Sequence, residues 1–225
     1  ATISIVSLGT GAGATSNTVK NCIIRNKITT SINYGISIGG TTPGTSGADN
    51  DNNTILNNVM DSFAVGVYSN GTASASSGGV DTLTISQNTI TIASNTLAVA
   101  AIQVANGVGS TISQNTVSTN SSSTTSPVGI SLETGFLSSN VTRNTITYVV
   151  ATNTGGYGGR GITVGTGTAS SNLTISNNVI YGINGSNWSA FGNSSSMGIG
   201  IGMVGGSSTI TTTCGGVNLY YNSIN

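Results

Sequence analysis

Five basic side chains, five acidic ones and no histidine are what this 225-residue chain offers for acid, base or ion chemistry. Without imidazole there is no Ser-His-Asp relay, no Cys-His pair and no histidine-based zinc site. Gly35-Ile36-Ser37-Ile38-Gly39 spells the Gly-x-Ser-x-Gly pattern of a nucleophile elbow, but no histidine exists to activate Ser37. Gly200-Ile201-Gly202-Met203-Val204-Gly205 spells a dinucleotide fingerprint, yet no helical pattern follows to receive a pyrophosphate. Asp49-Asn50-Asp51-Asn52-Asn53 begins like a calcium loop. Thr54 then stands where glycine is required, and Met60 where a bidentate glutamate belongs. That stretch reads as a polar turn, and neither a metal nor a cofactor is expected. Five cations cannot neutralise the phosphates of a nucleic acid, and no run approaches the ~18 apolar residues of a membrane helix.

The elements that carry these residues are built from small polar types. Ser 34, Thr 35, Asn 27 and Gly 33 fill more than half of the chain, and charged residues are 4 %, against roughly 25 % in an ordinary soluble domain. Disordered chains usually carry net charge and few β-branched residues. This one has zero net charge and regularly spaced Ile and Val. Scarce Lys and Glu beside abundant Ser, Thr and Asn point to an extracellular or cell-surface setting. The chain starts at Ala1 rather than Met, so residues 1–225 read as one domain that is a processed subunit or a fragment of a longer repetitive chain.

Two motifs alternate along the sequence. The first is apolar, two variable residues, Asn, one residue, apolar: Ile23 to Ile28 around Asn26, Ile55 to Met60 around Asn58, Ile85 to Ile90 around Asn88, and Ile112 to Val117 around Asn115. It continues around Asn144, Asn178 and Asn222. The second is a small residue, then apolar, variable, apolar: Gly35-Ile36-Ser37-Ile38, Gly66-Val67-Tyr68-Ser69, Ala101-Ile102-Gln103-Val104, Gly129-Ile130-Ser131-Leu132, Gly161-Ile162-Thr163-Val164 and Gly198-Ile199-Gly200-Ile201, with Thr2-Ile3-Ser4-Ile5 a divergent first copy. Apolar residues spaced by two mark strands, and no window carries a helical stripe. The gaps between motifs vary while the motifs stay constant. Stacked coils with outward loops behave that way, burying Ile and Val as continuous columns. Asn suits the bend before a short third strand, because it tolerates the left-handed conformation and stacked amides bond from coil to coil.

The seven copies of each motif resemble the right-handed parallel β-helix of the pectin-lyase-like superfamily, over essentially the whole chain. The wording Asn52-Asn53-Thr54-Ile55-Leu56-Asn57-Asn58 is also similar to repetitive bacterial surface proteins. The resemblance implies an all-β fold of about seven coils with three strands each, ~4.8 Å apart and on the order of 34 Å long. Enzymes of that superfamily place their site along the first strand. Here its outward positions are Ser4, Ser37, Tyr68, Gln103, Ser131, Thr163 and Gly200. Glycoside hydrolysis needs paired carboxylates, and β-elimination needs a base with a cation. The nearest acid, Glu133, has no aligned acidic partner, so the family's catalytic residues find no match and no enzyme is expected.

The remaining signals concern surfaces. Tyr34, Phe63, Tyr148, Tyr157, Tyr181, Trp188 and Phe191 all fall between an Asn motif and the next Gly motif. Five of these, Tyr148, Tyr157, Tyr181, Trp188 and Phe191, lie with Arg160 beside the later coils. They read either as a contact patch for glycans or a partner protein, or as a satellite core that pins long loops. An outward column of Cys22, Thr54, Thr84, Thr111, Asn140, Thr174 and Asn218 is compatible with ice binding and equally with β-propensity. Cys22 and Cys214 lie about six coils apart, roughly 29 Å, too far for an internal disulfide. The expected function is a non-enzymatic structural solenoid of an extracellular filament or large surface adhesin. Its partners are copies stacked head-to-tail or flanking segments of the same polypeptide. The alternative is a carbohydrate-binding or polysaccharide-processing β-helix.

Overall fold

The computed structural model describes residues 1–26, 31–73, 78–95, 99–122, 126–153, 157–185, 198–203 and 213–225. The chain winds as a parallel β-solenoid, all-β and without a helix among the described residues. Three long sheets run along it. The first joins Ile3–Val6, Tyr34–Gly39, Val65–Asn70, Ala100–Ala105, Val128–Leu132, Arg160–Val164 and Ile199–Gly202. The second joins Thr18–Lys20, Thr54–Leu56, Thr84–Ser86, Thr111–Ser113, Asn140–Thr142, Leu173–Ser176 and Val217–Tyr220. The third joins Ile23–Arg25, Val59–Asp61, Thr89–Asn95, Thr116–Ser121, Thr145–Ala151, Val179–Tyr181 and Ser223–Ile224, with Asn184–Gly185 beside its fifth strand. We number the coils one to seven in that order.

Register stacks like on like. Ile36, Val67, Ile102, Ile130, Ile162 and Ile201 form one inward column. Ile55, Ile85, Ile112, Val141 and Ile175 form a second, and Met60, Ile90, Val117, Ile146 and Ile180 a third. These residues belong to one apolar core, with Ile201 at its margin. A fully buried aliphatic side chain contributes about 1.5–3 kcal/mol, so three columns outweigh any surface pairing this nearly uncharged chain could form.

The glycine that opens the first-sheet motif of coils three, five, six and seven has a steric cause. A Cβ at Gly66 would lie 2.5 Å from Ile90 Cγ2; at Gly129, 2.6 Å from Ile146; at Gly161, 2.7 Å from Ile180; at Gly200, 2.6 Å from Ile224. The third-sheet isoleucine of the same coil occupies the space a side chain would need, together with the next coil's carbonyl at Gly66, Gly129 and Gly161, where Ala101 O, Gly161 O and Gly200 O would lie at 2.4–2.6 Å. Coil four carries Ala101 instead of glycine, and its third-sheet residue is Val117 instead of isoleucine. The methyl gained on the first sheet is matched in volume by the δ methyl that valine lacks, while both γ carbons remain.

Three expectations of register and geometry are corrected. Asn26 is not a ladder residue: Ile23, Ile24 and Arg25 pair with Val59, Met60 and Asp61, so Asn26 follows the third-sheet strand and gives its N–H to Asp61 O. The ladder position of coil one is Cys22, and the outward second-sheet column begins with Thr18 rather than Cys22. In coil seven Ile162 pairs with Ile201 and Thr163 with Gly202, so the small residue is Gly200, and Gly202 replaces Gly200 as the outward position. The sharp bend also falls one residue earlier than expected. Asn57, Gln87, Gln114, Arg143, Asn177 and Tyr221 hold φ between 51° and 59°, whereas the ladder asparagines that follow them do not take positive φ. The conformation costs about 1–2 kcal/mol for a residue with a Cβ, and the bonds of the next asparagine offset it.

Candidate functional site

Those bonds form a ladder along the corner between the second and third sheets. Asn88 gives both its N–H and Nδ2 to Asn115 Oδ1 at 3.0 Å, and Nδ2 also to Ile55 O at 2.9 Å. Asn115 repeats this on Asn144 at 3.0 and 2.9 Å and on Ile85 O at 2.9 Å. Asn58 bonds Asn88, Asn144 bonds Asn178, and Asn178 bonds Asn222 in the same way. Asn58, Asn88, Asn115, Asn144 and Asn178 are buried. Burying an amide is tolerable only when its bonding capacity is met, and here the neighbouring coils meet it. Cys22 joins through its N–H alone, 3.0 Å from Asn58 Oδ1.

A shorter polar ladder at the opposite edge of the second sheet escaped the sequence reading. Asn17 gives N–H and Nδ2 to Asn53 Oδ1 at 2.8 and 3.1 Å. Further along, Leu83 N–H meets Ser110 Oγ at 3.2 Å and Ser110 N–H meets Ser139 Oγ at 3.0 Å. Leu83 interrupts the column and the type changes from amide to hydroxyl, so no single letter recurs. The Asp49–Asn53 turn feeds this edge. Asn50 and Asn53 are buried and tie the turn to Ala14 and Gly39. Asp51 Oδ1 accepts Asp81 N–H at 2.8 Å, and Asp81 Oδ1 accepts Val108 N–H at 2.8 Å. Burial pushes the Asp81 carboxyl up, the Val108 N–H pulls it back, and the charges of Asp51 and Asp49 push it up again.

The outward face of the first sheet holds the polar cluster closest to a catalytic arrangement. Gln103 Nε2 donates to Glu133 Oε1 at 2.9 Å, Ser131 Oγ donates to the same oxygen at 3.1 Å, and Thr163 Oγ1 donates to Ser131 Oγ at 3.1 Å. Asn70 Nδ2 donates to Tyr68 Oη at 3.1 Å, and the Tyr34 and Tyr68 rings meet edge to face at 5.3 Å. Ser37, Tyr68, Ser131 and Thr163 are buried although they point outward: Gly44 gives its N–H to Ser37 Oγ, Tyr34 packs on Tyr68, and Ser131 and Thr163 bond to neighbours on the same face. Burial pushes the Glu133 carboxyl above its usual range, and the Ser131 and Gln103 hydrogen bonds pull it part of the way back. Burial likewise raises Tyr68, with the Glu133 charge adding to the rise and the Asn70 bond opposing it. Of the five acids, Glu133 alone belongs to this cluster. Asp49, Asp51 and Asp81 pair at the far edge of the second sheet's corner, and Asp61 lies on the third sheet.

The aromatic residues separate into three groups. Phe63 is fully buried and packs on Gly35, so it belongs to the core and not to a loop patch. Tyr148 and Tyr181 stand together on the third sheet, edge to face at 5.9 Å and 62 % and 37 % exposed. Tyr157 and Arg160 are half-buried, and among the described residues the Arg160 Nε has no hydrogen-bond partner. Burial holds the Arg160 guanidinium below its usual range. Trp188 and Phe191 lie outside the described residues. Cys22 and Cys214 are free thiols at opposite ends of the solenoid. No helix is long and apolar enough to cross a membrane among the described residues. With this geometry in hand, the chain was compared with protein-family models, with curated proteins and with solved structures, and none of them matches.

Proposed function

We propose that the chain is a non-enzymatic structural solenoid, a subunit or segment of an extracellular filament or large surface adhesin, continued at its ends by further coils. Within that reading it belongs with the right-handed β-helices of the pectin-lyase-like type. The observation that carries it is that the apolar columns run to both end coils and the amide ladder runs out to the last one. Ile24 and Ile5 are buried in coil one, while Leu219 and Ile224 of coil seven are 40 % and 55 % exposed in line with the core. Open parallel edges of this kind pair with further strands unless something covers them. The Glu133 cluster agrees with the reading: its one carboxylate is engaged by Gln103 and Ser131, and glycoside cleavage needs a second acid at short range.

The experiment is electron microscopy and solution scattering of the native material, beside lyase and glycosidase assays on acidic polysaccharides. Filaments or coil-extended particles without turnover are the expected outcome. Turnover lost in Glu133→Gln, or a monomer with protease-resistant ends, refutes the reading. The exposed Tyr148–Tyr181 pair favours one second reading, a glycan-binding surface. Glycan-array binding that disappears in Tyr148→Ala is its test.

A further inference from the structure

The amide ladder has a direction, and its two ends differ. Every Oδ1 in it accepts from the coil before, as Asn222 Oδ1 accepts the Asn178 N–H at 3.0 Å and Nδ2 at 2.9 Å. At the coil-seven end Asn222 gives Nδ2 to Ile175 O at 2.8 Å, and among the described residues its N–H meets no acceptor. Around it Leu219, Tyr220, Tyr221 and Ile224 are exposed. That face combines waiting amide donors with an apolar rim. At the coil-one end the equivalent position is Cys22. Its N–H is spent on Asn58, and its thiol donates to Lys20 O at 3.3 Å. A thiol has no amide oxygen, and sulfur is a weak acceptor.

We propose that the coil-seven face docks an asparagine-bearing β-coil, and that Cys22 prevents the first coil of a second copy from filling that place through the ladder. The inference rests on the structural reading above and narrows which coil continues the solenoid. An arriving asparagine accepts the Asn222 N–H and Nδ2 on one Oδ1 and returns its own Nδ2 to Leu219 O. These are the three bonds made where coil seven meets coil six. A copy arriving with Cys22 makes none of them and covers the Asn222 N–H with sulfur, leaving a buried donor unmet. The partner the face fits is therefore a coil of the same repeat whose ladder residue is Asn. Charge offers no competing selection, because residues 213–225 carry no ionisable side chain apart from Cys214, Tyr220 and Tyr221.

Sedimentation velocity over a micromolar concentration series, under reducing conditions, tests this on four chains: wild type, Cys22→Ser, Cys22→Asn, and Cys22→Asn with Asn222→Ala. Cys22→Asn should associate end to end at least about tenfold more tightly than wild type, or ~1.4 kcal/mol. Cys22→Ser, whose hydroxyl can take the Asn222 N–H alone, should fall between wild type and Cys22→Asn, and Asn222→Ala should reverse the gain. A second arm leaves the chain unaltered: a peptide of residues 171–182 should bind wild type about tenfold tighter than its Asn178→Ala form. A wild type that assembles, with Cys22→Asn no tighter and the two peptides equal, overturns the inference and leaves the structural reading standing. Monomers in all four chains with no peptide binding overturn both.

Discussion

Val117→Ile tests the steric rule that pairs each first-sheet small residue with its third-sheet partner. In coils three, five, six and seven the isoleucine Cγ2 sits 2.5–2.7 Å from where a glycine's Cβ would be. Carbon atoms prefer about 3.5–4.0 Å. Isoleucine at 117 in the rotamer of those neighbours would set its Cγ2 about 1 Å inside contact distance of the Ala101 Cβ, and overpacking on that scale costs about 1–3 kcal/mol. Ala101→Gly alone should cost about 1–2 kcal/mol, from the lost methyl and the added freedom of the unfolded chain. Combined, the two changes reproduce the pairing of the neighbouring coils, where the added methylene contributes about 0.8 kcal/mol. The double variant should lie within about 1 kcal/mol of wild type, a coupling of about 2 kcal/mol. Urea unfolding followed by circular dichroism, with the slope checked for lost cooperativity, measures all four corners of the cycle. A neutral Val117→Ile, or a double variant equal to the sum of the singles, refutes the argument.

Other substitutions probe the ladder and the two clusters. Asn115→Ala leaves the Asn88 N–H without its acceptor and takes one bond each from Asn88 Nδ2, Ile85 O and Asn144 Oδ1 in a buried corner, so about 2 kcal/mol should be lost in urea titration. Asn26→Ala, outside the ladder, should lose less than about 1 kcal/mol in the same titration. Glu133 has its folded-state pKa raised, so the folded state favours its protonated form: the cost of the charge is full above the folded pKa and vanishes as pH falls below the unfolded value. Glu133→Gln should then melt above wild type at pH 7, with the gap closing toward pH 4; a gap constant with pH refutes the assignment. Tyr148→Ala and Tyr181→Ala should each cost less than about 1.5 kcal/mol, as expected of an exposed edge-to-face pair, and thermal melts of both variants check this.

The fold was legible because stacking repeats the same few letters. Isoleucine and valine at spacing two, and asparagine at six of seven ladder positions, leave few alternatives. The errors arose where a letter changed while the geometry did not. Cys22 holds the ladder place in coil one, and the chance frame Ile23–Ile28 around Asn26 drew the alignment four residues downstream. In coil seven, glycine at 198, 200 and 202 makes the motif fit equally well in two frames, and the pairing of Ile162 with Ile201 decides between them. The left-handed residue before each ladder asparagine varies from Asn to Gln, Arg and Tyr, so it left no pattern. The Gly44 contact that covers Ser37 was hidden too, since it depends on where a poorly patterned segment folds back.

The ladder bonds join residues 36, 30, 27, 29, 34 and 44 apart in sequence. Closing a chain loop costs entropy that grows only with the logarithm of its length, so the shortest and longest of these differ by about 0.4 kcal/mol. Each winding is therefore about as hard to form as any other. Chain length adds windings without adding distance between partners, so the topological penalty that slows most β proteins does not accumulate as the molecule grows. A variant with an extra winding inserted mid-chain should refold at nearly the wild-type rate, with its gain in stability appearing as slower unfolding.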